Sequence, residues 1–98
     1  MAAYTVHPLK TSGQLVVVLQ YPGTDTGETR LVAPLYPADP ALEMEIVTPR
    51  VDVGGEGYLV AMHLLASVRQ RDLGPSMASL ETSEYALGGA INRLFFGI

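Results

Sequence analysis

The sequence predicts one mainly β domain, residues 1–98, of about five antiparallel strands closed by a C-terminal helix. Three observations predict it. Short runs rich in β-branched residues alternate with turns rich in proline and glycine. The C-terminal residues change to a helical period. A chain of 98 residues has room for one hydrophobic core but not for two.

Tyr4-Thr5-Val6 is a short extended segment, and Pro8 biases His7 toward the same backbone region, so a first edge strand is expected. Gln14-Leu15-Val16-Val17-Val18-Leu19-Gln20 reads as a strand covered on both faces. The polar, turn-forming stretch 21–28 is a long loop, and residues 29–33 resume the extended pattern as an antiparallel partner. Pro34, Pro37 and Pro40 remove three backbone donors, so residues 35–42 are expected to be an irregular connector or to wrap an edge. Residues 45–53 are extended again, with Val51 and Val53 on one face, and Gly54-Gly55-Glu56-Gly57 is a hairpin turn. Residues 58–68 read two ways: their Leu, Ala and Met content favours a helix, while their place after a hairpin turn favours a strand.

Leu87, Ile91, Leu94, Phe95 and Ile98 recur at i, i+4, i+7, i+8 and i+11, one stripe of an α-helix expected to pack on the sheet. Start signals cluster at Glu81-Thr82-Ser83-Glu84, where acidic groups suit the positive end of the dipole. Gly88-Gly89 costs roughly 1 kcal/mol per residue against alanine, a cost tolerated where another backbone comes close. Tyr85, Gly89, Asn92 and Phe96 form a second stripe nearly opposite the first. An aromatic and amide strip facing outward suits partner recognition, and it equally suits a dimer contact or plain surface.

Composition narrows the function classes. With 48% hydrophobic and 16% charged residues and a mean hydropathy of +0.24, some apolar surface is expected at an interface, either a homodimer or a tight partner. Six basic against ten acidic side chains give no drive toward a phosphate backbone, so no direct nucleic acid binding is expected. The chain has no cysteine, and its N-terminal residues show neither the basic region nor the apolar stretch of a signal peptide. No apolar run reaches the ~20 residues of a membrane span, so a cytoplasmic protein without membrane association is expected.

No catalytic constellation is evident. His7 and His63 lie among apolar residues without a sequence-adjacent acid and read as structural or edge histidines. The serines lack a nucleophile elbow and the acids lack a metal-ligand spacing, so no catalytic residue, cofactor or metal is expected. The glycine turn at 54–57 lacks the lysine and following helix of a phosphate loop. Arg69 and Arg71 alternate on one face of an extended segment, where they read as a solvated face.

The tail Ala90-Ile91-Asn92-Arg93-Leu94-Phe95-Phe96-Gly97-Ile98 resembles the ending of the CcdB family of toxins, Ala-Ile-Asn, two apolar residues, then Phe-Trp-Gly-Ile. Asp25-Thr26 and Arg30-Leu31-Val32-Ala33-Pro34-Leu35 resemble that family's Asp-Thr loop and Arg-Met-Val-Ile-Pro-Leu strand. Pro49-Arg50-Val51-Asp52-Val53-Gly54, with Glu56 and Tyr58, resembles its Pro-Val-Val-His-Ile-Gly hairpin, and Ala66-Ser67-Val68 with Gly74 continues in step. The likeness runs in order over nearly the whole chain at low identity.

The resemblance implies an SH3-like antiparallel barrel with a C-terminal helix, a symmetric homodimer, and strand rather than helix over residues 58–68. It implies a bacterial toxin of a type II toxin–antitoxin module that poisons DNA gyrase and is not itself an enzyme. Its site for the gyrase A subunit would be Phe96, Gly97, Ile98 and Asn92, with Tyr85, Gly89, Gly23 and Thr24 as secondary contacts. A cognate CcdA-like antitoxin would wrap the dimer and strip it from gyrase. The family's tryptophan is Phe96 here, and the paired isoleucines of its first long loop are Gly23 and Thr24. The alternatives are a relative that is inactive or retargeted to another topoisomerase, and an RNA-cleaving toxin on the same barrel.

Overall fold

The computed structural model describes residues 3–20, 26–43 and 47–97. The segments rich in β-branched residues form strands: β1 (Thr5–Pro8), β2 (Leu15–Val18), β3 (Thr29–Pro37), β4 (Arg50–Val53), β5 (Glu56–Val60), β6 (Ala66–Arg69) and β7 (Ala78–Ser79), and helix α1 (Glu84–Phe96) follows them. All the pairings are antiparallel. One sheet runs β7-β1-β2-β3-β6 and a second runs β4-β5-β3, so the two share β3 and curl into a nearly closed barrel.

Among the described residues there are seven strands rather than about five. Part of the difference lies in residues 58–68, for which the family resemblance implied continuous strand. β5 ends at Val60, and the chain turns through a 3-10 helix at Met62–Leu64 before β6 begins. Two short hydrogen bonds make that turn, Leu64 N to Ala61 O at 3.0 Å and Leu65 N to Met62 O at 3.2 Å. Burial of the Met62 side chain, fully removed from solvent, holds it in place. The other addition, β7, is two residues long and has no periodicity to announce it.

Two further expectations are corrected. β1 is not an edge strand, because β7 pairs with its outer side through Thr5↔Ser79 and Val6↔Ala78. Residues 35–37 are not irregular, because β3 continues through Pro34 to Pro37. The prolines are tolerated because Pro34 lies where β3 changes partner: residues up to Pro34 face β2, and Leu35 onward face β5. The Pro34 carbonyl still serves as an acceptor, taking the Ala61 N–H at 2.9 Å. At the β4–β5 hairpin Gly54 and Gly55 both hold positive φ, as a two-residue turn matching strand twist requires.

Val6, Val17, Ala33, Leu35, Val51, Val53, Val60, Met62 and Leu80 form the core, and α1 closes it with Leu87 and Ala90. In β2 the neighbouring Val16 and Val17 are both buried, as a strand covered on both faces demands. The helix stripe foreseen from periodicity is buried only in its first half. Leu87 is fully buried and Ile91 half-buried, but Leu94 and Phe95 are exposed, and Ile98 lies outside the described residues. The helix packs against the Met62–Leu64 turn and the Glu81–Ser83 turn that precedes it, and it outruns that support. Gly88 and Gly89 meet nothing either: a Cβ at each would find no atom within 4 Å, so the close approach suggested by their cost is not made inside the protomer.

The segment after β6 is tied to β1. Gly74 N donates to Pro8 O at 2.7 Å, and the His7 Nδ1–H donates to Gly74 O at 2.9 Å, leaving Nε2 to accept from the Thr5 hydroxyl at 2.9 Å. A Cβ on Gly74 would lie 2.9 Å from Pro8 Cγ and 3.1 Å from Pro8 O, a rigid ring and a backbone atom that cannot step aside. Gly74→Ala is therefore expected to destabilise the protein by about 1–3 kcal/mol, read as a lower urea midpoint with an unchanged slope.

Candidate functional site

The candidate site grows from how α1 starts and where it ends. The chain N-terminal to β1 and the turn before α1 hold each other. Ala3 N donates to Glu81 Oε1 at 2.8 Å, Ser79 Oγ donates to Ala3 O at 2.8 Å and Leu80 N donates to Tyr4 O at 2.9 Å. Partial burial lifts the Tyr4 phenol above its ordinary pKa, and the Glu84 carboxylate at the helix start adds to the shift. The Ser83 side chain makes no capping bond, so the start is fixed by the Glu81–Ser83 turn and by Glu84 in the first turn.

From this anchor the helix runs 13 residues, about 20 Å at 1.5 Å per residue. Its last buried side chain is Ala90 and its last half-buried one is Ile91; every residue from Asn92 to Gly97 is exposed. The proposed binding residues on this helix are therefore brought onto one projecting surface. Tyr85 is 96% exposed, Phe96 is 70% exposed, Asn92 is exposed and Gly89 lies half-buried between them. Gly23, Thr24 and Ile98 fall outside the described residues.

Two residues that periodicity had assigned to the core join this surface: Leu94, 36% exposed, and Phe95, 60% exposed. Phe95 and Phe96 thus present two adjacent rings near the helix end. No sequence signal marks this, because period alone cannot say how far the sheet supports a helix.

Gly97 ends the helix in the left-handed region at φ 71, its N–H donating to Arg93 O at 3.1 Å. Gly97→Ala is expected to cost roughly 1 kcal/mol locally and to fray the last turn. Hydrogen exchange should show faster exchange at Phe96 and Gly97, with the global unfolding midpoint hardly moved, because that turn buries nothing.

Elsewhere, Arg69 ends β6 and Arg71 lies in the 3-10 turn Gln70–Asp72, so the two do not alternate along one extended face. With Glu28 and Gln70 they line a cleft of about 420 Å³. His63 is exposed on its 3-10 turn. Among the described residues no three His, Asp or Glu side chains gather so as to hold a metal ion, and no helix is long and apolar enough to cross a membrane.

Comparison with known proteins gives three findings. Among solved structures, the Mycobacterium tuberculosis toxin MazF-mt6 superposes with a TM-score of 0.76 over 93% of this chain and 95% of that one. At 21% identity the likeness is one of fold. No curated protein matches the sequence. Residues 3–97, from the first described residue to the end of the helix, match the family model of the CcdB protein. The chain therefore belongs to the CcdB family, toxins of toxin–antitoxin systems built on this barrel.

Proposed function

We propose that this toxin binds the A subunit of DNA gyrase through the projecting end of α1 and holds the enzyme on cleaved DNA, without catalytic chemistry of its own. The observation that carries the reading is the freedom of α1 beyond Ile91, with the Phe96 ring 70% exposed at its tip. A flat exposed ring stacks on an arginine guanidinium, and Asn92 one turn earlier offers an amide on the same face. Gly97 turns the chain away at the helix end, so the ring is presented at a corner rather than along a continuing helix. Tyr85 and Gly89 extend the contact along the helix, and the family resemblance adds Gly23, Thr24 and Ile98 to the residues that contact gyrase.

The protein acts in the cytoplasm as a homodimer, countered by a cognate CcdA-like antitoxin. The exposed Leu64, Leu94 and Phe95 supply apolar area for an interface. A purified gyrase assay tests the reading: the intact chain should inhibit supercoiling and raise the yield of cleaved DNA. Inhibition of a different type II topoisomerase in the same assay, with gyrase untouched, would redirect the target. An RNA-cleaving toxin is the other reading the shared barrel raises. It is disfavoured because six basic against ten acidic side chains give the chain little drive toward an RNA backbone.

A further inference from the structure

Half of the chain's six Lys and Arg residues, Arg30, Arg69 and Arg71, gather where β3 begins and β6 ends. The strand register puts them there. Thr29 pairs with Arg69 and Arg30 with Val68, and Gln70 N donates to Glu28 O at 2.7 Å, fastening the turn to the start of β3. Arg30 is used internally: Nη1 donates to Gly27 O at 2.8 Å and Thr29 O at 2.7 Å, and Nη2 donates to Gln70 Oε1 at 2.9 Å. That last bond fixes the Gln70 carboxamide by its oxygen, leaving its N–H donors for another group. The Arg69 and Arg71 side chains make no hydrogen bond or ion pair among the described residues, and together with Glu28 and Gln70 they line the 420 Å³ cleft. In a chain of net charge −4 this is a local concentration of positive charge on a backbone frame already in place.

We propose that this cleft seats an acidic segment of the antitoxin, its carboxylates held by the forked guanidiniums of Arg69 and Arg71 and its backbone N–H groups by Glu28. The proposal rests on the chain being the toxin of a toxin–antitoxin pair, and it does not depend on gyrase being the target. A carboxylate fits the planar, bidentate donors of arginine. The Glu28 carboxylate in the lining gives a peptide an acceptor for its N–H groups, whereas it repels the continuous phosphates of a nucleic acid. None of the described lining residues is aromatic, so none of them offers a base a ring to stack on. The resemblance to family gyrase contacts places none of its residues in this cleft.

Fluorescence anisotropy with the intact chain tests it, using a short fluorescein-labelled peptide of alternating Glu and Gly and, in parallel, a single-stranded RNA of equal length. The peptide is expected to bind in a salt-sensitive way. The double variant Arg69→Gln/Arg71→Gln should weaken it at least about tenfold, and Glu28→Ala should weaken it about two- to threefold by removing the acceptor of the peptide N–H groups. Arg50→Gln, on the edge strand β4 of the second sheet, should leave it unchanged. No measurable peptide binding, binding indifferent to the arginine double variant, or tighter binding of the RNA would each overturn the proposal. The arginine double variant should inhibit growth as the intact chain does, so a failure of the gyrase reading and a failure of this one are separately visible.

Discussion

A chain ending at Phe95 is expected to lose growth inhibition and gyrase poisoning while melting within about 2 °C of the intact protein. The asymmetry follows from where the removed residues lie. Phe96 is 70% exposed and Gly97 is exposed, so their removal takes almost nothing from the core. Removing an aromatic anchor from an interface typically costs 2 kcal/mol or more, about a thirtyfold loss in affinity. Phe96→Ala should fall by about that factor in a supercoiling titration. Phe96→Trp should gain affinity, because the indole offers a stronger face to a cation and adds an N–H donor. Full toxicity in the shortened chain would remove the proposed mechanism while leaving the fold and family untouched.

Leu87→Ala is expected to have the largest effect on stability and to abolish function indirectly. Leu87 is fully buried, and with Ala90 it is what fastens α1 to the barrel. Truncating such a leucine costs about 2–5 kcal/mol, as lost transfer energy plus the cavity left behind. At roughly 4–8 °C per kcal/mol for a domain of this size, a thermal melt should fall by at least about 8 °C. Because α1 is exposed from Asn92 onward and only Ala90 and the half-buried Ile91 add to the contact of Leu87, a helix released at Leu87 has little else to keep it docked, and the rings at its tip lose their fixed position. Leu94→Ala on the same helix is the contrast, with a stability effect below about 1 kcal/mol in the protomer, since Leu94 is already 36% exposed. A melt in which Leu94→Ala matched Leu87→Ala would mean that Leu94 is covered by a second protomer.

Much of the fold was legible because strand-forming and turn-forming residues state their preference locally. The valine run at 16–18, the Gly54-Gly55 hairpin and the C-terminal helix each follow from side-chain branching, glycine freedom or period, and each is found where it was expected. The tail residues of the candidate site were legible for a different reason, a family likeness, and their outward position on the helix agrees with the angle their spacing gives.

Other features depended on what lies across the chain. Pro34 and Pro37 read as strand breakers, yet β3 passes through them, because Pro34 falls where the strand exchanges one neighbour for another. β1 looked like an edge and is not, because two residues some seventy positions later pair with it. Leu94 and Phe95 share the period of the buried Leu87, but burial needs a surface underneath, and the barrel ends before the helix does. Glu28 and Arg71 are 43 positions apart in the sequence and meet at one cleft only through the β3–β6 register. The sequence alone determined most of the strands, the helix and the residue types of the tail, since these reside in single residues and their near neighbours. Which elements are covered, where the helix leaves its support and which charges converge were decided by tertiary pairing, since those are contacts between distant parts of the chain.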